Sequence, residues 1–256
     1  MDMKNKEIKE AVKGRYGQMA RQDQQKQGCC PSCSGSASSI LGTGGIGYSK
    51  EDLEHIPESS LMGLGCGNPI GIAELKAGEV VLDLGSGAGV DVFLAANKVG
   101  ATGRVIGVDM TEEMVNKARS IARDYGYANV EFRLGEIEQL PVEDNSVNAI
   151  ISNCVINLST DKSRVFHEAY RVLKPGGRLT VSDIVSEGAI PDEMKNDPEA
   201  WTGCIAGALQ REEYLDKIRK SGFGEIQILS SREFYIENRA NQTHEKLFSV
   251  TVKASK

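Results

Sequence analysis

The sequence predicts an α/β fold built on a mostly parallel sheet. Three observations carry this expectation. From Val80 onward, short apolar strand-like runs alternate with helix-length amphipathic runs; a glycine turn joins the first strand to the first helix; and two strand-like runs close the chain. Alternation of this kind implies parallel strands with helices on both faces, because each crossover must pack back onto the sheet.

The elements follow in order. Val80–Leu84 is a continuous apolar strand, and Val90–Val99 is the helix after the glycines. Residues 105–109 form a second strand; Thr111 then caps a helix to about residue 125, with Glu112 and Glu113 in its first turn, where the helix dipole favours acids. Val130–Leu134 and Val147–Asn153 are the third and fourth strands. A helix over residues 161–173 is stopped by Lys174-Pro175-Gly176-Gly177, and residues 179–185 give a fifth strand. Residues 191–209 read as helical or mixed, and Arg211–Lys220 as a helix ended by Gly222. Residues 225–236 and 246–253 then add a hairpin-like end, for seven strands with one antiparallel.

Ahead of this core, Ile8, Ala11, Val12, Tyr16 and Met19 recur at helical spacing within residues 3–21. A polar link follows, then Cys29-Cys30-Pro31-Ser32-Cys33 and a Gly/Ser-rich stretch through Gly47, too poor in apolar surface to fold unaided. Ser49 and Asp52 resemble a capping box that opens a short helix to about Ile56. The expected division is an N-terminal helix and Cys/Gly/Ser-rich segment at 1–47, a core at 48–186, and an insertion with sheet-completing strands at 187–256.

Composition narrows the function. The 256 residues are 40% hydrophobic and 26% charged with net charge −6, a poor match to a chain that grips phosphate backbones. The first residues carry no apolar leader, and no run approaches the roughly 20 apolar residues of a membrane span. A cytoplasmic monomer with no nucleic-acid or membrane partner is expected. In that compartment the six cysteines are ligands, redox groups or buried apolar residues rather than structural disulfides.

Gly85-Ser86-Gly87-Ala88-Gly89 lies between a strand and a helix, the context in which glycines let backbone amides approach a ligand. Its G-x-G-x-G spacing differs from the G-x-G-x-x-G of dinucleotide sites. Asp83 precedes it; an acid there repels pyrophosphate but suits the ammonium of S-adenosylmethionine. Asp109 closes the second strand, 24 residues beyond Gly85, where a carboxylate can accept both ribose hydroxyls, with Met110 beside it. Gly135-Glu136-Ile137-Glu138 follows the third strand and can read the adenine; an exposed acidic turn is the plain alternative. Asn153, at the end of the fourth strand, is a further cofactor candidate. Gly63-Leu64-Gly65-Cys66-Gly67-Asn68 imitates a second glycine loop, but no apolar strand precedes it, so it reads as a flexible active-site segment.

Cys66, Cys154 and Cys204 stand 88 and 50 residues apart, and no C-x2-C spacing joins them as in zinc sites. Three soft thiolates suit trivalent arsenic or antimony, whose lone pair stays available as a nucleophile. Spacing alone leaves buried small hydrophobes an equally good reading.

The segments Gly65-Cys66-Gly67-Asn68-Pro69, Ser152-Asn153-Cys154-Val155-Ile156-Asn157-Leu158 and the run from Asn196 to Leu209 resemble the arsenite methyltransferases, over a likeness extending from about Tyr48 to the C-terminus. The resemblance implies a Rossmann-like class I methyltransferase fold and S-adenosylmethionine as cofactor. It also implies that Cys154 and Cys204 bind trivalent arsenic and that Cys66 completes the site. A cysteine nearer the N-terminus, Cys29 or Cys30, joins the redox cycle by pairing with Cys66, and a small thiol or thioredoxin acts as reductant. Many members carry a tyrosine two places before the first cysteine, where this chain has Leu64; Cys33 receives no role. Two readings compete with arsenic methylation: a small-metabolite C- or O-methyltransferase with incidental cysteines, and a non-catalytic thiol binder of metalloid or zinc.

Overall fold

The computed structural model describes residues 3–21, 47–234 and 246–256. Cys29, Cys30 and Cys33 lie outside the described residues. Helix α1 (Met3–Arg21) is followed by α2 (Lys50–Glu54), where Ser49 Oγ accepts the Asp52 N–H at 3.0 Å as a cap. The core then runs β1 (Val80–Leu84), α3 (Val90–Val99), β2 (Arg104–Asp109), α4 (Glu112–Asp124), β3 (Val130–Leu134) and β4 (Val147–Asn153). It continues with α5 (Lys162–Val172), β5 (Leu173–Ser186), α6 (Asp192–Lys195), α7 (Pro198–Thr202), β6 (Leu209–Gln210), α8 (Arg211–Lys220), β7 (Gly224–Phe234) and β8 (Leu247–Ser255).

The main path of the sheet is β3-β2-β1-β4-β5-β8-β7, and two-residue β6 pairs beside β5. Strands β1 to β5 pair in parallel, while β8 runs antiparallel to both β5 and β7. Seven strands with one reversed is thus the arrangement the sequence predicts, with β6 as an addition. Val81, Leu82 and Leu84 of β1 are all fully buried, which is why that strand reads as a continuous apolar run. One face of the sheet packs against α3 and α4 through Val92, Phe93, Val99, Val115 and Ile121. The other packs against α5 and α8 through Val165, Phe166, Tyr214 and Ile218.

Two local expectations are corrected. Lys174-Pro175-Gly176-Gly177 does not separate helix from strand: β5 already begins at Leu173, paired with Val147, and a register shift before Ala149 absorbs the extra residues. Backbone bonds of 2.9 Å between Gly176 or Gly177 and Lys256 satisfy that segment. Thr111 does stand at the N-terminus of α4, but its side chain makes no capping bond. Its N–H instead donates to Asp109 Oδ1 at 2.8 Å.

Candidate active site

Strand order reverses between β1 and β4, since β2 and β3 lie on one side of β1 and β5 on the other side of β4. Ligands of open α/β sheets bind in the crevice that such a reversal opens at the carboxyl ends of the strands. A cavity occupies that crevice, reaching the β1–α3 turn, the end of β2, the end of β4 and the Gly63–Asn68 segment, with α1 against it.

The glycine turn is built for close approach. Gly85 adopts φ +68° and lies so near Val155 that a Cβ would collide with its side chain. The Gly87 N–H donates to Asp109 Oδ2 at 3.0 Å, which ties the turn to the end of β2. Asp83, Gly85, Ser86, Gly87, Asp109 and Met110 all line the cavity. Asp83 is buried at 3% exposure, yet no donor among the described residues reaches its carboxylate. Burial, with Asp91 and Asp109 nearby, holds its carboxyl well above the usual range.

Two residues absent from the sequence reading complete this end. Asp91, in the first turn of α3, accepts from Tyr48 Oη at 2.7 Å, and burial pushes its carboxyl up to about 6. An acid opening the helix after the glycines was a usable signal for Asp91; nothing marked Tyr48. Asn153 bridges outward: its Nδ2 donates to Tyr48 Oη at 2.8 Å and to the Gly67 carbonyl at 2.7 Å, while its Oδ1 accepts the Cys66 N–H at 3.0 Å. Gly65, at φ +140°, has Asn153 Nδ2 only 2.9 Å from where a Cβ would stand, so the segment sits directly on this amide.

The turn after β3 divides. Ile137 and Glu138 line the cavity. Gly135, Glu136 and Gly89 stand behind it: Gly135 against Pro141, Gly89 against Phe93 and Phe132, and Glu136 in an ion pair. A side-chain contact from Glu136 to the cavity is therefore replaced by one to α1. Lys9 Nζ reaches Glu136 at 2.8 Å and Glu138 at 3.2 Å. Burial pulls against it, but these two acids carry the Lys9 ammonium above its ordinary range.

All three core cysteines line the cavity. Cys66 and Cys154 are joined as a disulfide with Cα atoms 5.8 Å apart, within the span a disulfide needs. Cys154 and Cys204 both hold left-handed backbone, at φ +57° and +63°, an arrangement that costs free energy and clusters at functional sites. Cys204 Sγ lies 2.9 Å from the Cys154 carbonyl. The ligand atoms of Cys66, Cys154 and Asp183 lie within 4.8 Å of one another, so the closest grouping differs from the three-cysteine set read from sequence. Asp183 was missed: Thr180 and Ser182 make its strand run mixed, and its side-chain partner, Tyr214, lies on another element. Beneath it lies a buried polar group: Lys162 Nζ donates to the Ser159 carbonyl at 2.9 Å, and burial pushes that ammonium down to about 8.

Residues 75–222 match the methyltransferase-domain family. The chain is 43% identical to the arsenite methyltransferase of Halobacterium salinarum over 100% of its own length and 68% of that protein's. The chain belongs to the arsenite methyltransferase family. It is also 37% identical to the arsenite methyltransferase of Aquipseudomonas alcaligenes, across 90% of the chain and 66% of the relative, so it spans about two thirds of the length of both. The crystal structure of an arsenic(III) S-adenosylmethionine methyltransferase from Chlamydomonas reinhardtii superposes with a TM-score of 0.70 at 37% identity, covering 89% of this chain and 74% of that one.

The cofactor of the arsenite methyltransferase family is S-adenosylmethionine, and the residues present fit it. Among the described residues, Asp83 offers a buried carboxylate without a donor, Ser86 Oγ is buried without a partner, and the position of a Gly87 Cβ meets only open space. Among the described residues no helix is long and apolar enough to cross a membrane.

Proposed function

We propose that this arsenite methyltransferase family member moves the methyl group of S-adenosylmethionine to trivalent arsenic held by Cys66, Cys154 and Cys204, and so detoxifies arsenic. The observation that supports this most is one cavity shared by the Asp83 turn and these three cysteines. When bound, the cofactor supplies an electrophilic methyl on a sulfonium sulfur.

The chain's own work is to bind and to aim. Asp83 takes the ammonium, Asp109 accepts from the ribose hydroxyls, and Gly85, Ser86 and Gly87 line the path between them. Met110, Ile137 and Glu138 enclose the adenine end, and Asn153 joins this end to the cysteine segment. Arsenite arrives as a thiol adduct and exchanges onto the protein sulfurs, each incoming thiol giving its proton to the thiol that leaves. Arsenic's lone pair forms the arsenic–carbon bond as the sulfonium–carbon bond breaks and its electron pair stays on sulfur; arsenic becomes pentavalent. Holding the two partners in line supplies much of the rate.

Return to the trivalent state takes two electrons, given by two cysteine thiolates that close a disulfide. Cys66–Cys154 is a pair of that kind; Cys29 or Cys30 is the other candidate partner for Cys66. A small thiol or thioredoxin reopens the bond by exchange.

The test is arsenic speciation after reduced protein is incubated with arsenite, S-adenosylmethionine and a thioredoxin system. Methylated arsenic is expected from the wild type and not from Cys154→Ser or Cys204→Ser. No methylated arsenic from the wild type, or undiminished product from both variants, overturns the reading.

A further inference from the structure

Asp183 is a buried acid that the cysteine chemistry above does not use. It is 1% exposed and lies on β5, beneath the residues that face the cavity. Its carboxylate is held by three donors: Ile184 N–H to Oδ1 at 3.0 Å, Asn157 N–H to Oδ2 at 3.1 Å and Tyr214 Oη to Oδ2 at 3.3 Å. Burial pushes this carboxyl up to about 7, while the three donors pull the other way, favouring the charged form, and fix its orientation. Lys162 Nζ bonds to the carbonyls of Asn157 and Ser159, at 3.3 and 2.9 Å, and acts on Asp183 through its charge rather than through a direct bond. What the carboxylate does face is sulfur: its oxygen and the Cys66 and Cys154 Sγ atoms lie within 4.8 Å of one another.

Methyl transfer from a sulfonium to a neutral arsenic(III) thiolate moves a unit of positive charge. The sulfonium loses it, as its carbon–sulfur pair returns to sulfur, and the methylated arsenic gains it. A fixed anion beside the arsenic end therefore interacts more strongly with the transition state than with the ground state, which is the condition for raising the rate. We propose that Asp183 is a preorganised counter-charge for arsenic as it is methylated, set behind the Cys66 and Cys154 sulfurs by Ile184, Asn157 and Tyr214. This rests on the reading that these sulfurs hold arsenic.

The experiment compares wild type with Asp183→Asn in mildly alkaline buffer, with protein thiols reduced. Arsenite binding is read from the emission of Trp201, the chain's one tryptophan, three residues before Cys204. The expected result is a fall in kcat of at least about tenfold, with arsenite and S-adenosylhomocysteine affinities kept within about twofold. Asp183→Glu, which keeps the charge, regains much of that loss, whereas Asp183→Gln, matched to it in size, does not. That second pair decides the matter if the Asn variant does not fold. Equal kcat in Asp183→Asn and wild type, equal kcat in the Glu and Gln variants, loss of arsenite affinity in step with kcat, or failure of all three to fold overturns the proposal. Absence of methylated arsenic from the wild type sinks the parent reading instead.

Discussion

The side-chain amide oxygen of Asn153 accepts the backbone N–H of Cys66 at 3.0 Å. Through this bond the end of β4, which faces the glycine turn, sets the position of the cysteine segment. Asn153→Ala leaves buried donors and acceptors on both sides unpaired, each worth about 1–3 kcal/mol. Thermal unfolding is expected to shift down, and binding titrations to show both S-adenosylhomocysteine and arsenite weakened together. Arsenite affinity equal to wild type would show that the two ends are not joined here. Gly65→Ala, which pushes on the same amide, is expected to give the same paired loss.

Ser86 Oγ is buried without a hydrogen-bond partner among the described residues, a state that costs free energy unless a ligand relieves it. Ser86→Ala should therefore leave the free protein as stable as wild type or up to about 1 kcal/mol more stable. S-adenosylhomocysteine should bind about tenfold more weakly in calorimetry. Unchanged affinity would place the hydroxyl outside the cofactor's reach.

Lys9 reaches from α1 to both acids of the turn after β3. Lys9→Met removes the cation and leaves Glu138 half-enclosed, with the Ser159 hydroxyl 2.8 Å away as its remaining donor. S-adenosylhomocysteine affinity is expected to fall about tenfold, while the Trp201 response to arsenite stays as in wild type. A loss of arsenite response alone would assign α1 to the other end of the cavity.

Cofactor affinity should depend on pH through Asp91, whose carboxyl burial raises from 3.8 to about 6. Between those values the folded chain keeps a proton that the unfolded chain releases, so this group's contribution to stability falls as pH rises through the window. The ammonium group of S-adenosylhomocysteine favours the ionised form, and the sign for binding is opposite. S-adenosylhomocysteine affinity should climb by up to about tenfold per pH unit as pH rises to about 6. Asp83 and Asp109, raised by the same burial, act in the same direction, while Tyr48 stays neutral throughout. An affinity that falls as pH rises to 6 would contradict this electrostatic picture.

What the sequence made legible was whatever rests on local pattern. The bounds of β1, α3, β3, β4 and α8 follow from apolar periodicity and the breakers between elements, and the structure keeps each of them. The place of Asp83, the glycine turn and Asp109 in the cavity lining was readable because it depends on position within a strand–turn–helix unit. Asp183, Tyr48 and Lys9 were not, because their partners lie on other elements: Asp183 meets Tyr214 of α8, Tyr48 meets Asp91 of α3, and Lys9 crosses from α1 to Glu136. The start of β5 was missed because its pairing with the chain end at Lys256 outweighs the local turn signal of Pro175-Gly176-Gly177.

The most direct test of the central claim is a single turnover. Reduced protein is loaded with one equivalent of arsenite, mixed with methyl-labelled S-adenosylmethionine and quenched over time, and the label is followed into arsenic. One label on arsenic for each S-adenosylhomocysteine formed is expected from the wild type, and none from Cys154→Ser. Label on arsenic undiminished in Cys154→Ser, or S-adenosylhomocysteine formed by the wild type with no label on arsenic, would contradict methyl transfer to thiolate-held arsenic.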